Sequence, residues 1–488
     1  MTADRDTTFD EAQRLQGQNR VPEAIAAYQR ALRARPEHAN SWFNLGLLFR
    51  QARRPADALE SYQRALNLGI SNPEEVHVNR GVIYADFLRQ DAEAERELRT
   101  ALALRPNFVP ALLNLANMQE DRGQREEALK LYSRVLELDP QCHLALARFA
   151  NMQRPAHCDE ALVGRIQAAL AHPSTNGNEK ALLGFALGRV LDARGEYAQA
   201  FNAYSVANAT VRSGAMSAGY RYDRGAQEQL IDRLMRSGAG SAAGKPASAG
   251  PAPIFLCGMF RSGSTLAEQL LGQHPGVTAG GELYLLPSMV ASELAPFPES
   301  LATKPAAEIE QLAQRYLESL ATLFPGAQRV TDKRPDNFLY IGLIKSMFPD
   351  AKIIHTTRDA LDNCLAIYFL DLDPGMSYAT DLMDIGHYYR SYRRLMSHWR
   401  ELYGADIIEL NYDAYVREPA SVAEPVFGAL GLDWDPKFLD HSRAQAAVRT
   451  ASVWQVREPL YQSSSGRSRN YAAQLGDLES YLTDPPLL

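Results

Sequence analysis

Apolar positions in the first 150 residues recur at three- and four-residue steps and are interrupted at nearly even intervals. The stretches AYQRALRARP (27–36), SYQRALNLGISNP (61–73), RELRTALALRP (96–106) and LYSRVLELDP (131–140) are variants of one segment, each ending in proline. Such spacing puts the apolar side chains on one face of a helix, and the proline stops it. Between them SWFNLGLLF, HVNRGVIYA and ALLNLANMQ form a second helical set, with Gly46, Gly81 and Ala116 where two helices must approach closely. Beyond residue 253 the rhythm changes. IFLCGM, AKIIHTTR and ADIIELNY are short apolar or β-branched runs, each followed by a helical pattern. That alternation predicts a parallel sheet covered by helices, with ligands at the carboxyl ends of the strands.

The repeat has a measurable period. Tyr28 returns as Tyr62, Leu32 as Leu66 and Leu102 as Leu136, one common step of about 34 residues. Helix, turn, helix and proline at this period resemble the tetratricopeptide repeat, which predicts an α-helical solenoid. The step from Leu66 to Leu102 is longer by two, which places a short insertion around GISNP, expected to be absorbed in a loop. A further helix pair near 178–211 reads as a late or capping repeat, so the repeat domain is expected over 1–211. Such stacks leave a concave face that holds a peptide or protein; the alternative is a purely structural or dimerising superhelix. GAGSAAGKPASAGPAP (238–253) has nothing to form a core, so 212–252 reads as a helix and flexible linker and 253–488 as a second domain.

The 488 residues are too many for one ordinary domain. A net charge of -7 disfavours nucleic acid as a general partner, so any anion site must be local. Cys142, Cys158, Cys257 and Cys364 form no C-x-x-C pair, which suggests neither a disulfide framework nor a zinc site and fits a reducing compartment. The polar N-terminus lacks a signal-peptide core, and no stretch reaches the length of a membrane span, so the expected location is cytoplasmic.

The second domain opens with PIFLCGMFRSGST, where Gly258, four residues, Gly263 and Ser264-Thr265 match a nucleotide-phosphate loop at every fixed position except its lysine. The backbone N–H groups of Ser262, Gly263, Ser264 and Thr265, turning into a helix over 264–271, make an anion cradle, and Arg261 adds a planar charge. Taken alone, the same glycines suit a tight structural turn. The missing lysine, which in such loops reaches the terminal phosphates of a nucleoside triphosphate, argues against ATP or GTP hydrolysis.

Four further segments follow in order: GGELYLLP, TDKRPDNFLYIGLIKSMFPDAKIIHTTRDALDN, ELNYDAYV and TASVWQVREPLY with SGR behind it. With the loop, this ordered set resembles the sulfotransferases, and most closely protein-tyrosine sulfotransferases and bacterial proteins that join tetratricopeptide repeats to such a domain. The resemblance covers about 253–471, with the repeats over 9–211. It implies an α/β P-loop-like fold with a parallel sheet, and 3′-phosphoadenosine 5′-phosphosulfate as donor, with no metal. That donor has one phosphate joined to one sulfate, so a loop lysine has no γ-phosphate to reach. By the resemblance, Arg261 to Thr265 cradle the phosphosulfate and Arg358 grips the 3′-phosphate through paired hydrogen bonds. A surface salt bridge from Arg358 to Asp359 or Asp362 is the competing reading. Ala366 stands where the family usually has a serine on the same phosphate, and Asn363 is a candidate substitute. Glu282 corresponds to the catalytic base, Lys333 to the lysine beside the bridging oxygen, and Ser452 to a serine on the reacting group. Arg467 corresponds to a basic residue that closes over the donor, with Arg469 an equal alternative. Tyr412 corresponds to a tyrosine near the nucleotide, or serves as a core residue.

The resemblance implies tyrosine in a peptide or protein as acceptor. Tyr284 departs from it: animal protein-tyrosine sulfotransferases carry an arginine two residues beyond the glutamate, which leaves a small phenol, glycan or other hydroxyl metabolite open. A non-catalytic scaffold with a decayed domain would explain Ala366, but Arg261, Glu282, Lys333, Arg358 and Ser452 all survive together. A nucleotide-dependent kinase would require the absent lysine.

Overall fold

The computed structural model describes residues 3–237, 250–373, 375–440 and 464–483, and these form two compact units, Met1–Met152 and Gln153–Leu488. Among the described residues no helix is long and apolar enough to cross a membrane.

In the first unit the expected helices pair in sequence: Ala3–Gly17 with Val21–Ala34, Ala39–Gln51 with Pro55–Asn67, Pro73–Val82 with Asp91–Leu104, and Val109–Asp121 with Arg125–Leu138. Pro73 opens a helix as well as closing the segment before it, because a first-turn residue needs no amide donor. Tyr28, Tyr62 and Tyr132 have no exposed surface. The Tyr62 ring lies on bare backbone: a Cβ on Gly46 would come within 2.5 Å of it. The glycine thus fixes how closely the two helices approach.

The two extra residues of the long repeat are divided. The path from Tyr62 to Gly81 is one residue longer than the equivalent path from Tyr28 to Gly46, so one residue enters before Gly81, around the GISNP turn as expected. From Gly81 to its contact Leu98 the chain is again one residue longer than from Gly46 to Tyr62. This second residue is not in a loop. Ile83–Phe87 forms a π-helical turn, closed by the Leu88 amide on the Ile83 carbonyl at 3.2 Å, and such a turn holds one residue more than an α-helical one.

In the second unit, the Gly177–Ala193 and Tyr197–Ser217 helices keep the repeat's packing signature, with Gly188 lying against the Tyr204 ring at the same sequence separation as Gly46 and Tyr62. The pair nevertheless belongs to the compact unit of the sheet. Tyr204 stacks on Phe369 with ring centroids 3.9 Å apart, and Asn208 donates to the Tyr368 carbonyl at 2.8 Å.

The sheet has five parallel strands, β1 (Ala252–Gly258), β2 (Val277–Thr278), β3 (Arg329–Lys333), β4 (Ile353–Thr357) and β5 (Ile407–Asn411), in the order β2-β3-β1-β4-β5. Ile254 and Leu256 pack with Leu266, Leu270 and Phe427 on one face, while Phe255 meets Tyr316 and Phe348 on the other. Alternation along a strand covered on both faces produces this division. The chain leaves β1 to one side for β2 and β3 and then to the other for β4 and β5, so a crevice opens at the carboxyl end of β1.

One charged group is built into this core. Asp332 on β3 is fully buried and accepts hydrogen bonds from the Tyr316 hydroxyl (2.6 Å) and Asn337 Nδ2 (3.2 Å). Burial pushes its pKa up to about 6, against the opposing pull of those hydrogen bonds.

Two outcomes follow. Gly46→Val should lower the urea-unfolding stability of the first unit by about 1–3 kcal/mol through overpacking against Tyr62, whereas Gly17→Ala, with nothing within 4 Å of the added carbon, should not. For Asp332 the folded state holds a proton that the unfolded chain releases near pH 4. Its favourable contribution is therefore full below about pH 4 and lost as pH rises through about 6, a swing of about 3 kcal/mol. Asp332→Asn should remove that component, seen as a flatter dependence of the second unit's unfolding midpoint on pH between 4 and 7.

Candidate functional site

The anion loop leaves β1 in a conformation few residues can adopt. Arg261 and Gly263 both have left-handed backbone, with φ of 68° and 101°. A Cβ on Gly258 would lie 2.4 Å from the Thr356 carbonyl oxygen, and one on Gly263 would lie 2.9 Å from the Tyr412 ring. The glycines therefore answer to close approach by β4 and Tyr412.

Ser262 helps shape this loop. Its amide closes the turn on the Met259 carbonyl at 3.1 Å. The Thr356 hydroxyl donates to the Cys257 carbonyl (3.1 Å), so the Ser262 hydroxyl is the donor in their 2.7 Å contact. The helix begins at Ser264 and, as at any helix start, its first amides point out of the helix end, here toward the carboxyl edge of the sheet. Ser264 and Thr265 sit in that first turn, both buried.

Arg358 follows the last residue of β4. Its guanidinium donates to the carbonyls of Arg261 (3.3 Å) and Ser464 and lies 4.9 Å from the Tyr412 ring centroid. Tyr412 is thus held between the anion loop and Arg358, while also packing at the edge of the core. The carboxylates that could have taken Arg358 into a surface salt bridge are used elsewhere. Asp359 caps the Ala360–Tyr368 helix through the Asp362 amide (3.0 Å), and Asp362 accepts from the amides of Gly466 and Ser468, the latter at 2.7 Å. Among the described residues, the buried Arg358 Nε has no hydrogen-bond partner.

The Asn363 side-chain amide donates to the Phe260 carbonyl at 2.6 Å, tying the anion loop to the helix behind it. Arg467 pairs with Asp192 at 2.6 Å and lies over the Phe369 ring, and the Tyr471 hydroxyl donates to the same Asp192. Burial would lower its pKa, but the Asp192 carboxylate outweighs this and raises it. Arg467 therefore anchors its segment to the Gly177–Ala193 helix, and the exposed Arg469 faces a cavity of about 700 Å³ that Arg358, Arg393 and Arg400 also line. Ser465 completes the fastening by donating to Asp413 at 2.7 Å. Ser452 lies outside the described residues.

The third element sits on the neighbouring strand. Lys333, the last residue of β3, pairs in register with Leu256 and has no exposed surface. Its Nζ donates to Glu282 Oε1 at 2.7 Å, and its amide donates to the Gly281 carbonyl at 3.0 Å. The Glu282 side chain keeps 40% exposure, so the pair presents a carboxylate to solvent and an ammonium to the interior. Beside them Tyr284 is 68% exposed, and the Arg334 guanidinium lies 5.1 Å from its ring centroid while bonding both oxygens of Asp336 (2.9 and 2.8 Å). Sequence reasoning missed Glu268, Thr331, Thr356, Asp192 and Asp413. Glu268 did leave a trace, as the one acid in an otherwise apolar and amide-bearing stretch, LAEQLL.

A loop whose amides can face an anion, an arginine beside it and a lysine on the next strand paired with a loop carboxylate can bind a phosphorylated ligand and move a proton next to it. Residues 253–436 match the sulfotransferase family model, and 9–73 and 92–149 match tetratricopeptide-repeat models. An uncharacterized protein of Aquifex aeolicus is 31% identical over 421 residues, 83% of this chain and 52% of that one. The protein-tyrosine sulfotransferase of Drosophila melanogaster is 24% identical over 207 residues, 38% of this chain and 40% of that one. The chain thus spans about half, or less, of the curated relatives it matches. The sulfotransferase domain of the Synechococcus PCC 7002 olefin synthase is 21% identical, covering 50% of this chain and 97% of that one with a TM-score of 0.36. On the family models, the chain joins tetratricopeptide repeats to a sulfotransferase-family domain.

Proposed function

We propose that the chain transfers a sulfuryl group from 3′-phosphoadenosine 5′-phosphosulfate to a hydroxyl, and that the acceptor is a tyrosine of a peptide or protein. The observation that carries this reading is the 2.7 Å contact between Lys333 and Glu282 on the strand beside the anion loop. The residues fit the donor. Gly258 and Gly263 let Thr356 and Tyr412 close on the loop and set its shape, and among the described residues the Arg358 Nε has no hydrogen-bond partner. The amides of Gly263, Ser264 and Thr265, with Arg261, would take the phosphosulfate. Arg358 and Arg469 would take the 3′-phosphate.

In the reaction the acceptor oxygen bonds to sulfur as the bond from sulfur to the bridging phosphate oxygen breaks. Glu282 accepts the acceptor's proton, and Lys333 neutralises the charge growing on the departing phosphate. Because each residue holds the other before substrates arrive, each is already aimed into the same small volume. The exposed Tyr284 ring with a guanidinium behind it supports an aromatic acceptor, since a ring can stack there beside a cation. The cation that animal relatives carry two residues past the glutamate is here supplied by Arg334, partly neutralised by Asp336. The repeats support a polypeptide as the acceptor's carrier, since such stacks serve as peptide-holding surfaces.

Calorimetric titration should show binding of adenosine 3′,5′-bisphosphate and none of ATP. Equal binding of both would exclude the donor assignment. Glu282→Gln should keep that binding and lose about 10²–10⁴-fold in turnover of a tyrosine peptide; turnover near the unmutated rate removes Glu282 from the mechanism. Arg358→Ala should weaken the bisphosphate by about 10–100-fold, the range of a lost charged hydrogen bond. Unchanged affinity would place the 3′-phosphate elsewhere.

A further inference from the structure

Glu268 is a buried carboxylate with no part in the transfer step described above, and its partners are unusual. It lies on the Ser264–Leu271 helix, whose first turn forms the anion cradle, and its side chain reaches across to the loop that carries Glu282. Oε1 accepts from the Gly281 amide at 2.9 Å and from the Thr331 hydroxyl at 2.5 Å. That hydroxyl in turn accepts from the Gly280 amide at 2.9 Å. Both amides leading into Glu282 are therefore held, directly or through one hydroxyl, by a single carboxylate oxygen. The backbone is pressed against β3 there: a Cβ on Gly280 would stand 2.2 Å from the Thr331 carbonyl oxygen, and Gly281 has a φ of 71°.

We infer that Glu268 is a positioning residue that fixes Glu282 relative to the anion cradle, so that the helix binding the donor also sets where the acceptor's proton is taken. This rests on Glu282 being the base, as proposed above. The physical case is one of lever arms. Glu282 is exposed along much of its side chain, so the peptide behind it governs its position, and that peptide turns through two glycines with little conformational restraint of their own. Displacement of a reacting group by about 1 Å costs about 10²-fold in rate. A buried acceptor that satisfies two donors supplies the restraint that the glycines lack.

The test compares Glu268→Ala and Glu268→Gln, with the donor and 4-nitrophenol or a tyrosine peptide as substrates. The alanine variant should lose about 10–100-fold in kcat, while adenosine 3′,5′-bisphosphate binds within about threefold of the unmutated affinity. The glutamine variant, whose amide oxygen still accepts both hydrogen bonds, should restore kcat to within about threefold. In a Glu282→Gln background, Glu268→Ala should cause no further loss, because its effect passes through that side chain. Hydrogen exchange at the Gly280 and Gly281 amides should quicken in Glu268→Ala and remain slow in Glu268→Gln. Unchanged kcat in the alanine variant, loss of bisphosphate binding in proportion to kcat, or full additivity with Glu282→Gln would each overturn the inference. If the unmutated protein sulfates no phenol, the reading of the preceding section fails. The exchange measurement still decides whether Glu268 holds the loop: unchanged exchange in Glu268→Ala overturns it.

Discussion

A lysine with no exposed surface at the end of a sheet strand is the constraint around which the second unit's candidate site is arranged. An ammonium taken out of water costs several kcal/mol unless it is paired and hydrogen-bonded. Lys333 meets that condition with Glu282, and the influence of its charge also reaches the buried Glu268, where it opposes the rise that burial imposes. The two carboxylates come from a loop and a helix with no local reason to meet. The charge on β3 makes them neighbours, and the glycines between them allow the chain to turn tightly enough. What would be a liability in an ordinary core is here a demand that brings three functional elements to one point.

The same economy governs the chain beside Arg358. The segment Ser464–Arg469 is held by acids on three different elements: Asp192 in the repeat-like helix pair, Asp362 in the helix after β4, and Asp413 after β5. Each of these carboxylates is engaged by that segment and not by Arg358. The repeat-like pair has thereby acquired a second occupation. Its Gly188–Tyr204 packing is that of the solenoid, yet Tyr204, Asn208 and Asp192 all contact residues of the sheet domain.

Much of this was legible along the chain, for reasons that differ by element. Periods written in every repeat announced the helices, and strands β1, β4 and β5 were visible because β-branched runs fill them. β3 was not, since RVTDK carries its buried Asp332 and Lys333 as charges, and β2 is only two residues long. Among site residues, the loop glycines and the Glu282 and Lys333 motifs stood out locally. The pairing of Arg467 did not, because its partner Asp192 lies far earlier in the chain. Ser262, Asn363 and Glu268 were obscured for a related reason: their roles depend on which backbone groups the fold brings within reach.

The π-helical turn at Ile83–Phe87 bears on how such an array evolves. One residue added to a regular α-helix rotates everything after it by about 100°, turning an apolar face toward water. Winding that residue into a wider turn returns the following helix to phase, so Leu98 still meets Gly81. A single-codon insertion is thus quarantined within one unit of a tandem series, and neighbouring units need no compensating substitutions. Length variation and interface conservation, usually in competition in packed helices, are here separable.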